Sequence, residues 1–184
     1  MLNSTVEQKA TDGLNLRLSI ACNTAVPFLL FGMVLGQVSL DIMAATLSCA
    51  VGLFGYSLIE YVFHRWALHG LLRRDHQQHH LEPFAPLAMP FSTGLSAHTG
   101  VLVVLSLCSG LDLAICITLG SSIGYALYGH LHELIHRDPS LARQLTPRLY
   151  RHHMLHHRTA SGGDEFNFGV LTTFWDRLFR TYSA

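Results

Sequence analysis

The sequence predicts an all-α membrane protein with four helices arranged as two hairpins, and three observations support this. The chain of 184 residues is 49% apolar and only 13% charged, with a mean hydropathy of +0.31, a balance typical of membrane proteins. Four apolar segments each approach the roughly 20 residues that a helix needs to cross a bilayer. All twelve Lys and Arg residues lie on one side of the arrangement that these segments define. A chain of this length suits one compact domain, so we predict a single domain over 1–184.

The apolar segments form two closely spaced pairs. The predicted helices cover residues 16–40, 42–63, 92–111 and 113–129. Asp41 and Asp112 lie at the tight turn inside each pair, which indicates two helical hairpins. GxxxG spacings, which favour close packing of helices, occur at Gly32/Gly36 and Gly120/Gly124.

The basic residues predict the topology of the chain in the membrane. They precede or open the first helix, follow the second, or follow the fourth, and the two opposite turns carry none: Lys9, Arg17, Arg65, Arg73, Arg74, Arg137, Arg143, Arg148, Arg151, Arg158, Arg177 and Arg180. The positive-inside rule therefore places both termini and the central loop in the cytosol. The membrane would be a bacterial inner membrane, or the endoplasmic reticulum if the chain is eukaryotic. The net charge is zero with histidine neutral, so no nucleic-acid partner is indicated.

Thirteen histidines follow the same partition as the basic residues. They occur after the second helix, at the end of the fourth helix and in the C-terminal segment. Only His98 lies inside an apolar segment, and there it is near the cytosolic end. Three stretches that are distant in sequence therefore bring their histidines to one membrane face.

The spacing of these histidines is typical of helical metal sites. Side chains three and four residues apart share a face of a helix, so both HxxHH motifs, at 76–80 and 153–157, can present all three imidazoles in one direction. His132 and His136 are one helical turn apart. His64 and His69 are five residues apart, about 140° around an α-helix. They share a face only if the helix is distorted; otherwise they serve different metals.

Ten histidines take part in these patterns: His64, His69, His76, His79, His80, His132, His136, His153, His156 and His157. One structural zinc takes four ligands, so ten are too many for one zinc site. They suit two metals with about five ligands each, which leaves a position for oxygen or water. Imidazole binds iron, copper, zinc and nickel alike. Zinc lacks redox chemistry, whereas an iron pair activates O₂ when two electrons are supplied. We therefore predict two iron ions, which zinc can replace in purified protein, and O₂ as co-substrate. The alternative is a histidine-rich surface that binds metal adventitiously.

Other polar residues near the motifs have expected supporting roles. His130 and His152 stand outside the repeated spacing, and we expect them to support ligands or to lie at the surface. We expect His98 to be a hydrogen-bonded buried side chain. Four acidic residues can each either orient a ligating imidazole or pair with a nearby arginine: Glu60, Asp75, Glu133 and Asp164. A turn at 167–169 precedes a predicted short helix over 173–179 that suits the membrane surface.

These motifs together resemble the fatty acid hydroxylase superfamily, which also contains sterol desaturases and carotenoid hydroxylases. The matching motifs are His64-x4-His69, His76-x2-His79-His80, His132-x3-His136, His153-x2-His156-His157 and the closing segment NFGVLTTFWDRLFRTY. They cover about 60–182, roughly two thirds of the chain. The resemblance implies a cytosolic, histidine-rich cap over a dimetal site on a four-helix membrane bundle, with the ten histidines as ligands.

The resemblance also implies a reaction. We expect an O₂-dependent di-iron hydroxylase that acts on a fatty acyl chain of a membrane lipid and receives electrons from a separate electron-transfer protein. The run LEPFAPLAMP after His80 resembles acyl-chain hydroxylases, whereas the six residues between His69 and His76 resemble carotenoid hydroxylases. A carotenoid ring hydroxylase and a sterol or lipid desaturase therefore remain alternatives. A non-catalytic metal-binding membrane protein is the alternative from another class.

Overall fold

The computed structural model describes residues 2–82, 91–162 and 165–184, and within these ranges every regular element is helical. The run LEPFAPLAMP lies largely outside these ranges, and Asp164 and the side chain of Asp75 are also outside the description. The predicted all-α fold is confirmed.

Four long helices account for the predicted membrane segments. They are α1 (Leu2–Gln37), α2 (Ile42–Val62), α4 (Phe91–Ser109) and α5 (Leu111–Arg137), and α2 continues without a break into a π-helical segment, Phe63–Leu71. Stretches of all four are long and apolar enough to cross a membrane, namely Leu14–Gln37, Ile42–Leu71, Ser92–Ser109 and Leu111–Arg137. The expected four crossings are therefore confirmed by length and composition. The fourth helix is longer than predicted, because it continues past 129 to Arg137.

Short helices carry most of the remaining chain. They are α3 (Arg73–Leu81), α6 (Pro139–Leu145), α7 (Pro147–Gly162) and α8 (Phe174–Leu178), the last within the predicted 173–179. Asp138 caps α6, where its side chain accepts a hydrogen bond of 3.0 Å from the Leu141 amide. A proline opens both α6 and α7, which suits a first-turn position where no backbone donor is needed.

The chain divides into two compact units, and the first contains Met1–Tyr56 and Pro86–Ala126. Here α2 and α5 approach so closely that a Cβ atom at Gly52 would collide with the Ile117 carbonyl, and one at Gly120 with the Cys49 carbonyl. A Cβ at Gly124 would press on the Tyr56 ring. The Gly120/Gly124 spacing therefore marks a close helix contact, as predicted. The Gly32/Gly36 prediction is wrong for the described part of the chain, where no atom lies within 4 Å of a Cβ at either position.

Both turns of the first unit are built on specific polar groups. Asp41 caps α2 by accepting hydrogen bonds from the amides of Met43 and Ala44, at 3.0 and 2.9 Å. Gly110 alone joins α4 to α5, with a left-handed φ of 84° that a residue with a Cβ rarely adopts. The Asp112 carboxylate accepts a hydrogen bond of 3.0 Å from the Ser39 amide and another from the Ser39 hydroxyl. The turn between α1 and α2 is thereby tied to the start of α5.

The second unit contains Ser57–Ala85 and Leu127–Ala184. Its apolar core consists of Tyr61, Phe168 and Trp175, which join the last turns of α2 to the C-terminal segment. The Trp175 indole donates a hydrogen bond of 2.9 Å to the Ser57 hydroxyl. All ten patterned histidines lie in this unit. The single domain over 1–184 stays a prediction.

Candidate metal centre

The π-helical segment brings the first two histidines together. In a π-helix each amide bonds to the carbonyl five residues earlier, as the Leu72 amide does to the Ala67 carbonyl at 2.7 Å. Residues five apart then lie near one another on one face, and the ring centroids of His64 and His69 are 5.2 Å apart. Of the two alternatives that their spacing allowed, the structure has the distorted helix.

The HxxHH motifs of α3 and α7 each divide their histidines between two groups. His76 and His80 lie in one group and His79 in the other. In α7 the division is reversed, with His153 and His157 in the second group and His156 in the first. Consecutive residues are about 100° apart around a helix, so the adjacent histidines of each motif point toward different neighbouring side chains. The expectation that all three point one way is therefore wrong for both helices.

Two groups of five histidines result, and in each the ligand atoms all lie within 4.8 Å of one another: His64, His69, His76, His80 and His156 in group 1, and His79, His132, His136, His153 and His157 in group 2. These are the ten histidines that the spacing singles out. Eight of them are less than 9% exposed. The groups are adjacent, with ring centroids of His80 and His157 4.5 Å apart.

The hydrogen bonds of group 1 determine which nitrogen faces the centre. Nδ1 of His64 lies 2.5 Å from the Phe168 carbonyl, and Nδ1 of His156 lies 2.7 Å from the Phe166 carbonyl. A carbonyl only accepts, so both Nδ1 atoms carry the proton. Nδ1 of His69 faces the Glu165 carboxylate at 3.3 Å and is oriented in the same way. Each Nε2 therefore presents a lone pair to the group.

These lone pairs face one another at the separation that metal ligands have. Nε2 of His69 lies 3.1 Å from Nε2 of His156, although both rings carry their proton on Nδ1. Two lone pairs at this distance repel unless a cation lies between them. Nitrogen atoms about 3.0 Å apart correspond to ligands at a right angle on an ion with bonds of about 2.1 Å. Group 1 therefore fits a metal ion.

Group 2 also contains ring nitrogens that lie close together and that hydrogen bonds alone cannot pair. Nε2 of His153 lies 3.0 Å from Nε2 of His136 and 3.1 Å from Nε2 of His157. One ring nitrogen has either one proton or one lone pair, so it cannot make good hydrogen bonds to both. Among the described residues, no hydrogen-bond partner exists for Nδ1 of His79 or of His153, nor for either nitrogen of His80 in group 1. Buried polar atoms in this condition indicate a ligand.

Burial keeps the imidazoles of α3 and α7 neutral. It lowers the pKa of His76 to about 2, that of His79 to about 3 and that of His80 to about 4, with further lowering by neighbouring imidazoles. Burial also holds the pKa of His153 and of His156 well below the ordinary value. Metal ligation needs the neutral imidazole, so these side chains are ready to bind at neutral pH.

Of the acidic residues that the sequence suggested, the described ones are Glu60, which binds backbone amides, and Glu133, which has the expected alternative role of an arginine partner. Glu60 accepts hydrogen bonds from the amides of Val170 and Leu171, at 2.8 and 3.4 Å. Glu133 pairs with Arg137 one turn further along α5. The carboxylate beside a group 1 histidine belongs instead to Glu165, which also lies 3.3 Å from an Nη2 atom of Arg73. No spacing relates Glu165 to His69, because the pair is made by folding.

Asp176 is a second residue that the sequence patterns did not identify. It is fully buried, and its carboxylate accepts hydrogen bonds of 2.8 Å from the amides of Phe168 and Gly169 and from the Thr181 hydroxyl. Its fourth donor is Nε2 of His152, at 3.1 Å. Asp176 thus holds the backbone of the loop at Phe168 and Gly169. The Phe168 carbonyl of this loop orients the His64 ring, so Asp176 acts on His64 through the loop.

The remaining histidines lie apart from both groups. His152 is 4% exposed and bonds to Asp176, so of its two expected locations it does not have the one at the surface. His98 is buried and its Nδ1 donates to the Gly94 carbonyl at 2.6 Å, as predicted. His130 is exposed.

Comparisons with known proteins agree with this geometry. The family model described as fatty acid hydroxylase matches residues 49–181. The fatty acid 2-hydroxylases of Macaca fascicularis and Homo sapiens are each 30% identical over 146 residues, covering 71% of this chain and 38% of the relative. The chain thus spans about two fifths of the length of these relatives. A solved structure of full-length Scs7p, in which only the hydroxylase domain is visible, superposes with a TM-score of 0.70 at 25% identity and covers 91% of this chain and 66% of that chain.

Proposed function

The chain belongs to the fatty acid hydroxylase family, and from this premise we propose that it hydroxylates a fatty acyl chain of a membrane lipid with O₂. The single domain that we propose over 1–184 would hold two iron ions, one in each histidine group. The observation that carries the proposal is the convergence of two sets of five neutral imidazoles in a protein with four membrane-crossing helices. The acyl chain is favoured over a carotenoid or sterol because the relatives at 30% identity are fatty acid 2-hydroxylases.

The chemistry of the bound metal is the activation of O₂, which the protein residues do not supply. The balanced reaction consumes the lipid C–H bond, O₂, two electrons and two protons, and it yields the lipid alcohol and water. The electrons would come from a separate electron-transfer protein. The five histidines of each group would hold one ion, and that ion would supply the chemistry of O₂ activation.

Backbone carbonyls of the chain orient two of the rings in group 1. The carbonyls of Phe166 and Phe168 fix the rings of His156 and His64 with their lone pairs inward. The Phe168 side chain is 2% exposed and its ring lies 5.3 to 5.9 Å from the rings of His64, His69 and His156. This ring shields group 1 from water on that side, which limits the loss of reducing equivalents.

Labelled oxygen gas tests the proposal. Membranes that contain the iron-loaded protein, a reductant and an electron carrier are exposed to ¹⁸O₂, and the lipids are analysed by mass spectrometry. We expect one ¹⁸O atom in a new hydroxyl group on an acyl chain. His156→Ala removes a ligand of group 1, so we expect loss of the product and of about half of the bound iron. The matched control, His130→Ala, removes an exposed histidine outside both groups and should retain both.

Other outcomes separate the alternatives. Label in a carotenoid ring or a sterol would reassign the substrate, and a new double bond without label would indicate a desaturase. Bound iron with no change in any lipid would favour the non-catalytic metal-binding protein.

A further inference from the structure

A cavity of about 440 Å³ lies in the second unit, between α7 and the C-terminal segment. Arg148, Arg151 and His152 line it from α7, and Arg177 and Tyr182 line it from the other side. Its volume is within the range of small-molecule sites, about 300–1,000 Å³. It is separate from both histidine groups, because none of the ten grouped histidines lines it.

Helix α7 has two chemically different faces. Arg148, Arg151, His152 and Leu155 follow the i, i+3, i+4, i+7 pattern of one helix face, and all four line the cavity. The grouped histidines of α7 lie on a different face, about 140° away at 100° per residue. The arginines are therefore not part of the metal centre.

The charged side chains that line the cavity are basic. Among the described residues the wall carries three guanidinium groups and no acidic side chain, and Ala184, the last residue of the sequence, also lines it. Arg148 and Arg151 form no ion pair within the part of the chain that the structure describes. The guanidinium of Arg177 lies 3.9 Å above the ring of Tyr182 and contacts the Thr173 hydroxyl at 3.4 Å. The buried carboxylate of Asp176 does not line the cavity, and among the described residues it forms an ion pair with His152 but with no arginine.

A buried ring on the same wall also lacks a partner. The His152 side chain is 2% exposed and uses Nε2 to bond to Asp176, whereas its Nδ1 has no hydrogen-bond partner among the described residues. Because Nε2 donates to Asp176, Nδ1 of the neutral ring is an acceptor, and it can pair with a hydroxyl group of a phosphate ester but not with the phosphate dianion itself.

We propose that this cavity is a binding site for a phosphate group. Guanidinium groups bind phosphate through paired N–H donors, and three positive charges match a phosphate ester dianion better than a single carboxylate. The phosphate can belong to a small soluble ester or to the headgroup of an acidic phospholipid. This inference does not depend on the proposed hydroxylase activity.

The test uses the full chain and two forms of phosphate. Glycerol phosphate is titrated calorimetrically into the detergent-solubilised protein at low ionic strength. In parallel, thermal unfolding is measured in nanodiscs of phosphatidylcholine with and without phosphatidic acid. The test variant is Arg148→Gln with Arg151→Gln. The control is Arg158→Gln, an exposed arginine of the same helix that does not line the cavity.

We expect the double variant to lose at least tenfold in affinity for glycerol phosphate, or to lose the rise in unfolding temperature caused by phosphatidic acid. The control should match the unmodified protein in both measurements. Because all three arginines are exposed, the variants should fold normally, which unfolding in phosphatidylcholine alone verifies. A response to the soluble ester identifies a free phosphate ligand, and a response only to phosphatidic acid identifies a lipid headgroup. No response in either arm, or equal responses from the double variant and the unmodified protein, would overturn the proposal.

Discussion

Single residues far from the histidine motifs determine how the metal centre is held. Asp176 and Glu165 lie in the C-terminal segment, yet one fixes the loop that orients His64 and the other faces Nδ1 of His69. The Asp176 carboxylate contacts the His152 imidazole, and the Glu165 carboxylate contacts the His69 imidazole. At each ring a fixed carboxylate takes the place of water. Such outer partners set both the orientation and the basicity of a metal ligand.

Asp176→Asn tests this dependence. The carboxylate accepts on both oxygens, from Phe168 and Thr181 on Oδ1 and from Gly169 and His152 on Oδ2. An amide has only one oxygen, so in either orientation a buried donor loses its charged acceptor. We expect a loss of about 3 kcal/mol in the free energy of unfolding, measured by denaturant titration, together with weaker metal binding. Asp138→Asn is the matched control, because asparagine caps a helix as well as aspartate. Equal stability of the two variants would contradict the role given to Asp176.

The sequence identifies the grouped histidines better than the residues that orient them. Histidines repeat at helical spacings that identify them without a structure, as His153, His156 and His157 do. Glu165 and Asp176 have no such pattern, since each meets its imidazole only after the C-terminal segment has folded back. His152 was placed outside the repeat correctly, but its burial depends on the same folding and could not be read from spacing.

At the level of whole helices, local geometry decides which side chains meet. The five-residue spacing of His64 and His69 left open a distorted helix, and the π-helical segment Phe63–Leu71 is that distortion. The division of each HxxHH motif between two groups was not foreseen, because helical periodicity gives relative directions but not the neighbours. The GxxxG spacings show the same limit, since one pair has a close partner helix and the other faces open space.

The contact between α2 and α5 can be tested with one added methyl group. In Gly120→Ala the new Cβ would meet the Cys49 backbone, which cannot move aside without shifting a helix. We expect a loss of about 1–3 kcal/mol in stability, the usual effect of overpacking, seen as a lower thermal unfolding temperature in detergent. Gly32→Ala places the same atom in open space and should be neutral or slightly stabilising. Similar losses for both would argue against the close contact.

The histidines of α3 give the metal-free protein a specific pH dependence. Their pKa values in the folded chain are about 2, 3 and 4, against about 6.5 for an unperturbed histidine. Below pH 6.5 the unfolded chain therefore binds more protons than the folded one, and the free energy of unfolding falls as the pH falls. We expect the unfolding temperature to be nearly constant above pH 7 and to drop between pH 6.5 and 4.

His80→Gln isolates the contribution of one α3 histidine. The unfolding temperature of this variant should drop less than that of the unmodified protein between pH 6.5 and 4. His130→Gln alters an exposed histidine and should follow the unmodified protein. An unfolding temperature independent of pH between 6.5 and 4 would show that the α3 imidazoles are not buried as described.

For the whole molecule, the one-sided distribution of Lys and Arg predicts the orientation in the membrane. Fusion of a reporter at residues 39–41 or at Gly110 should report the non-cytosolic side, and fusion after Ala184 the cytosol. Accessibility of the fused reporters in intact cells or sealed vesicles is the measurement. A cytosolic signal from either turn would refute the predicted topology, without affecting the four helices themselves.

The exchange of histidines between the two groups has a consequence for assembly. Because α3 and α7 each donate to both groups, the first ion to arrive draws together the same two helices that the second ion needs. The entropy cost of ordering α3 and α7 therefore falls on the binding of the first ion, and we expect the second ion to bind more tightly than the first. A sample that averages one ion per chain would then consist mainly of empty and doubly filled molecules, and the half-filled form would be scarce.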